Sequence, residues 1–99
     1  MLETLAYTPI AGAKTEPPIT VFALSTCGFC KRAMRFLDEH DFAYRYIHID
    51  KIPLETKTEL KKELKEKYKA DIAFPFAMVG DSDHLVGFIE VDWKRTLGI

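Results

Sequence analysis

Ninety-nine residues make one domain, and 47% hydrophobic content fills a core and excludes a disordered chain. A net charge of −1 and an isoelectric point of about 6.3 leave no basic field for nucleic acid, and no apolar run approaches the roughly 20 residues of a membrane span. Met1-Leu2-Glu3-Thr4-Leu5 lacks the basic start and apolar core of a secretory signal, and two cysteines are too few for a secreted disulfide scaffold, so a reducing cytoplasm is expected.

Residues 1–18 read as an N-terminal extension ahead of a domain over residues 19–99. Pro9, Gly12 and Glu16-Pro17-Pro18 interrupt regular structure before the first strand, while Leu2, Leu5, Tyr7 and Ile10 are apolar enough to pack on the domain. Ile19 to Leu24 is a nearly continuous apolar run, as expected of a strand covered on both faces. Ser25-Thr26 stand where helix-capping residues belong. A first helix to His40 follows, with Cys30, Ala33, Met34 and Leu37 on one face.

Phe42 to Asp50 reads as a second strand, with Tyr44, Tyr46 and His48 alternating with Arg45, Ile47 and Ile49. Pro53 suits the first turn of a second helix to about Tyr68, a charged helix with a thin stripe of Leu60, Leu64 and Tyr68. Phe74 to Val79 is a third strand led by Pro75. Gly80-Asp81-Ser82-Asp83 turns the chain, and His84-Leu85-Val86 returns antiparallel. Gly87 and Phe88 then lead into a short helix from Glu90 to Leu97. The order β-α-β-α-β-β-α predicts an α/β fold, a four-stranded mixed sheet with helices on both faces.

The chemistry-bearing motif is Cys27-Gly28-Phe29-Cys30, at the junction of the first strand and first helix. One helical turn brings residues i and i+3 to the same side, so the two sulfurs can close a small ring. The helix start offers unpaired N–H groups and partial positive charge, which favour the nucleophilic thiolate. Cys27 at the junction is the expected nucleophile. Cys30, on the apolar face, is the expected resolving thiol. Lys31 and Arg32 add positive field from a solvated helix, with Lys31 the closer electrostatic support. A metal half-site or a buried unreactive pair are the alternatives for the two cysteines, but zinc takes four ligands and His40, His48 and His84 are scattered, so no metal site is expected.

The first strand, the Cys27-Gly28-Phe29-Cys30 motif, the element order and the later Phe74-Pro75 resemble the glutaredoxins of the thioredoxin-like superfamily. The resemblance covers roughly residues 19–97. It implies a thioredoxin-like fold and a cis peptide bond before Pro75, facing the cysteines. It also implies a cleft rimmed by Phe74-Pro75 and Gly87-Phe88, where Phe29 and Phe88 give apolar contact to substrate and the backbone before the proline pairs with an extended segment. Leu24 and Ser25 stand where glutathione-using members carry lysine. Ala73-Phe74 replaces Thr-Val, and Val86-Gly87-Phe88-Ile89-Glu90 lacks the second glycine and the carboxylate-gripping step. The Gly87-Phe88 step is similar to the NrdH-redoxin branch, which implies reduction by a thioredoxin-reductase-type partner and electron delivery to ribonucleotide reductase. The expected function is therefore a monomeric dithiol oxidoreductase acting on protein disulfides, with no tightly bound cofactor. Two alternatives stand beside it. One is a glutaredoxin reduced by glutathione or another low-molecular-weight thiol. The other is an iron–sulfur carrier, because Cys27-Gly28-Phe29 resembles the start of the motif in cluster-binding monothiol members.

Overall fold

The computed structural model describes residues 2–99. Its strands are β1 (Thr8–Ile10), β2 (Ile19–Ala23), β3 (Tyr44–His48), β4 (Phe76–Val79) and β5 (Asp83–Val86). Its helices are α1 (Gly28–Glu39), α2 (Leu54–Tyr68) and α3 (Glu90–Leu97). Short 3-10 turns cover Leu2–Thr4 and Ile49–Lys51. The strands form one mixed sheet in the order β1-β3-β2-β4-β5.

β2 and β3 are parallel, joined through α1, with Val21 opposite Tyr46. A parallel pair needs such a crossover, because a tight turn reverses the chain. β4 lies antiparallel to β2 and pairs with β5 in the expected hairpin, Ala77 opposite Leu85. The fifth strand corrects the expected count of four. β1 comes from the extension and runs antiparallel to β3, with Pro9 opposite Arg45. Three residues with a central proline carry no strand signal of their own. Their pairing depends on an edge, where a missing N–H is tolerated.

Alternation along the strands divides the core into two layers. Ile19, Val21 and Ala23 of β2, with Ala77 and Val79 of β4, pack against Ala33, Phe36 and Leu37 of α1 and Trp93 and Leu97 of α3. Phe22, Phe76 and Met78 face the other way, against Leu60 and Leu64 of α2 and against Leu2. All five residues of β2 are buried, which explains an apolar run broken only by Thr20. Trp93, Phe22 and Phe76 head the fully buried side chains, and each contributes about 2–3 kcal/mol by leaving water. On β3 the expected alternation holds: Tyr44 and Tyr46 join the α1–α3 layer and Ile47 the α2 layer, which Ile49 in the following 3-10 turn also joins. Among the described residues, no helix is long and apolar enough to cross a membrane.

Both layers converge on the carboxyl end of β2. The chain passes there through Leu24, Ser25 and Thr26 into α1, and the cysteines stand at that point.

Candidate active site

Ser25 and Thr26 do not cap α1; Cys27 does. Its backbone is extended (φ −90°, ψ 118°) and its Sγ accepts the Cys30 N–H at 3.1 Å. The hydroxyl residues lie too early in the chain, and Ser25 is used elsewhere. Its N–H donates to Asp50 Oδ1 at 2.9 Å, and its hydroxyl donates to Asp50 Oδ2. These bonds hold the Asp50 carboxyl below the usual carboxylate range and tie the segment before Cys27 to the 3-10 turn after β3. Sequence reasoning missed Asp50, because 25 residues separate it from Ser25.

The two sulfurs have different surroundings. Cys27 is half-buried and Cys30 has no exposed surface, and both are free thiols. Cys30 Sγ accepts the Leu24 N–H at 3.5 Å. Burial pushes the Cys30 thiol up to about 12, and its hydrogen bond with Cys27 pushes the same way. Chemically, the outer sulfur is open to a reaction partner and faces a backbone donor that stabilises negative charge. The inner sulfur stays protonated beneath it.

The Phe74–Pro75 peptide is cis, as the resemblance implied; Glu16–Pro17 is also cis. Pro75 is fully buried, and Phe74 is half-buried against both core layers. The Gly87 N–H donates to the Pro75 carbonyl at 2.8 Å, which joins two of the predicted site segments directly. Gly87 has φ +72°, a conformation that favours glycine, with open space where a Cβ would stand. Phe88 is half-buried, its ring centroid 5.7 Å from Phe36 of α1 and 5.4 Å from Trp93 of α3. Cys27, Phe74 and Phe88 pack against one and the same core cluster. Phe29 is 58% exposed, with the Arg32 guanidinium 5.6 Å from its ring centroid. Lys31 points into solvent, so its field reaches the site through water.

Trp93 is the second residue that sequence reasoning missed. Its Nε1–H donates to the Gly87 carbonyl at 2.9 Å, so α3 holds the Gly87-Phe88 loop from below. A lone tryptophan in a helix beside a predicted site loop was the available signal, since a buried indole N–H needs an acceptor. Among the described residues, no group of three His, Cys, Asp or Glu side chains is placed to hold a metal ion.

A parallel βαβ unit, an antiparallel hairpin led by a cis-proline, and two thiols on the first turn of the intervening helix define a thioredoxin-like redox protein. The glutaredoxin family model matches residues 19–82, well over half of the chain, and the chain belongs to the glutaredoxin family. Its general activity is that of a thiol–disulfide oxidoreductase. The structure is similar to a glutaredoxin from Methanosarcina mazei Go1, at a TM-score of 0.78 and 22% identity, covering 94% of this chain and 88% of that one. It is also similar to Methanosarcina acetivorans methanoredoxin, with a TM-score of 0.69, 26% identity and coverage of 83% and 85%. A glutaredoxin from Archaeoglobus fulgidus aligns at a TM-score of 0.65 with 29% identity, over 79% and 83% of the two chains. No curated protein sequence matches this chain.

Proposed function

We propose that this glutaredoxin is a dithiol donor of electrons to protein disulfides, with Cys27 as nucleophile and Cys30 as resolving thiol. The carrying observation is the asymmetry of the pair: Cys27 is open and capped by an N–H donor, while Cys30 is buried and held as a thiol. The Cys27 thiolate attacks one sulfur of the substrate disulfide. A Cys27–substrate disulfide forms, and the other substrate sulfur leaves as a thiolate. Cys30 then loses its proton to a departing thiolate and attacks Cys27 Sγ, forming the Cys27–Cys30 disulfide and releasing the second substrate sulfur. The substrate gains two electrons and the one proton of Cys30, which the first departing thiolate takes; its second sulfur leaves as a thiolate and takes a proton from water, and the pair loses two electrons and one proton.

Phe29, Phe74 and Phe88 supply apolar contact at the rim, and Pro75 with Gly87 fixes its backbone. Lys31 adds a screened positive charge. The absent glutathione-gripping residues around Gly87 favour a thioredoxin-reductase-type reductant, and ribonucleotide reductase is the substrate that the Gly87-Phe88 step suggests. The protein acts as a monomer in the reducing cytoplasm.

The test is turnover of a disulfide-bearing protein, with reducing power supplied either by a thioredoxin reductase or by glutathione with its reductase. Turnover with the reductase, abolished in Cys27→Ser, is the expected result. Full activity in Cys27→Ser would overturn the roles of the two thiols. Fast turnover on glutathione alone would make the small thiol the reductant.

A further inference from the structure

The three helices differ in where their charges lie. α2 has Glu55 in its first turn and Lys65 and Lys67 in its last. α3 has Glu90 and Asp92 at its start and Lys94 and Arg95 at its end. Both follow the helix dipole, which favours acids at the amino end and bases at the carboxyl end. α1 is reversed. It has no acid in its first turn and no base in its last. Lys31 and Arg32 lie in its first half, Arg35 just past its middle, and Asp38 and Glu39 at its end. The three cations are exposed, and among the described residues none has an ion-pair partner. Their placement works against the helix that carries them, so its reason lies outside helix stability.

Two of these cations, Arg32 and Arg35, border a cleft of about 490 Å³ between α1 and α3. Arg32 and Arg35 line it from α1, His40 from the residue that ends that helix, Phe88 from the site loop, and Lys94 from α3. Two carboxylates also face it. Glu90 is 3.6 Å from Lys94, which balances its charge, and Glu39 stands at the far end of α1. With Glu39 counted, the two arginines leave the cleft one positive charge in excess. Phe88 belongs both to this cleft and to the loop bonded to Pro75, so the cleft adjoins the Gly87-Phe88 segment of the site.

We propose that this cleft docks an acidic segment of the protein whose disulfide is reduced, with its carboxylates on Arg32 and Arg35 and apolar side chains on Phe29 and Phe88. The proposal rests on the reading that Cys27 reduces protein disulfides, and it adds the charge class of the substrate. Charge-assisted bonds from planar guanidinium groups suit carboxylates, and a one-sign patch beside a reactive group raises the rate of encounter.

The experiment uses the reduced full-length protein in single turnover with synthetic disulfide peptides, identical except for flanking glutamates, glutamines or lysines. Hydroxyethyl disulfide, which is uncharged, reports the thiol chemistry alone. The acidic peptide is expected to react about tenfold faster than the basic one at low salt, and the ratio should fall toward one at high salt. In Arg32→Gln/Arg35→Gln the same ratio should fall toward one at low salt. Taking a ratio cancels any change in Cys27 reactivity, and both positions are exposed, so the fold tolerates the change. Equal rates for the three peptides, with hydroxyethyl disulfide still reduced, would overturn the docking proposal and leave the redox reading standing. Failure to reduce hydroxyethyl disulfide would overturn both. With glutathione disulfide as a further substrate, an arginine dependence seen there and not with the peptides would assign the cleft to a small carboxylate and overturn the peptide partner.

Discussion

At the scale of single residues, the behaviour of the site depends on which sulfur is buried. Cys30 has no exposed surface, and its thiol is pushed up to about 12, first by burial and then by Cys27. A reagent in solution therefore meets Cys27 alone. Iodoacetamide at mildly alkaline pH should modify one cysteine of the reduced native protein, identified as Cys27 by peptide mapping, and both after unfolding in denaturant. Equal native labelling of both would contradict the assigned burial. This part of the site was legible in the sequence, because an i, i+3 pair at a strand–helix junction is a local pattern. Trp93 and Asp50 were not. Their roles come from bonds to Gly87 and Ser25, which only the folded backbone brings within reach. Trp93→Phe keeps a ring in the core but leaves the Gly87 carbonyl without its donor. The loss should be about 1–3 kcal/mol in chemical denaturation, with a higher KM for protein disulfides as the Phe88 loop loosens.

Among the elements, β1 shows where sequence reading stopped. Strands β2 to β5 and all three helices announce themselves by apolar runs, periodicity and turn residues. β1 is defined by its partner. Its segment covers Phe22 with Tyr7, whose ring lies 6.0 Å away, and the Tyr7 hydroxyl donates to the Leu2 carbonyl at 2.6 Å. Arg45 closes over the other side of Tyr7, at 4.1 Å from the ring centroid. Further along, Ala43 donates to the Lys14 carbonyl at 2.8 Å, and Gly12 crosses the backbone so closely that a Cβ would lie 2.4 Å from Phe42 C. The extension is therefore packed on the domain, and Gly12 is its tightest point. Gly12→Ala should destabilise the protein by about 1–3 kcal/mol, read as a lower midpoint in chemical denaturation. An unchanged midpoint would mean that the extension gives way without cost.

For the molecule as a whole, three groups share one direction of titration. Cys30 and Tyr7 are each raised to about 12 and Tyr44 is raised further, in every case chiefly by burial. In an unfolded chain these groups lose their protons near their ordinary values, so at high pH the folded state binds more protons than the unfolded one. Stability then falls as pH rises. The stability of the reduced protein should be steady up to about pH 9 and decline steeply toward pH 12, followed by circular dichroism in denaturant. A flat profile through that window would contradict the burial of these groups. The overall architecture was legible because each layer of the core is written as a period of two or of 3.6 residues. The fifth strand and the tethers beneath the site were not, because each joins segments that no period relates.

The central claim is that Cys27 attacks and Cys30 resolves. Its most direct test is intact-mass analysis of Cys30→Ser after incubation with a disulfide-bearing protein substrate. A stable mixed disulfide should accumulate, mapped to Cys27, and should disappear in a Cys27→Ser/Cys30→Ser double variant. An adduct formed on Cys30 in Cys27→Ser as fast as on Cys27 in Cys30→Ser, or no adduct in either single variant, would contradict the assignment.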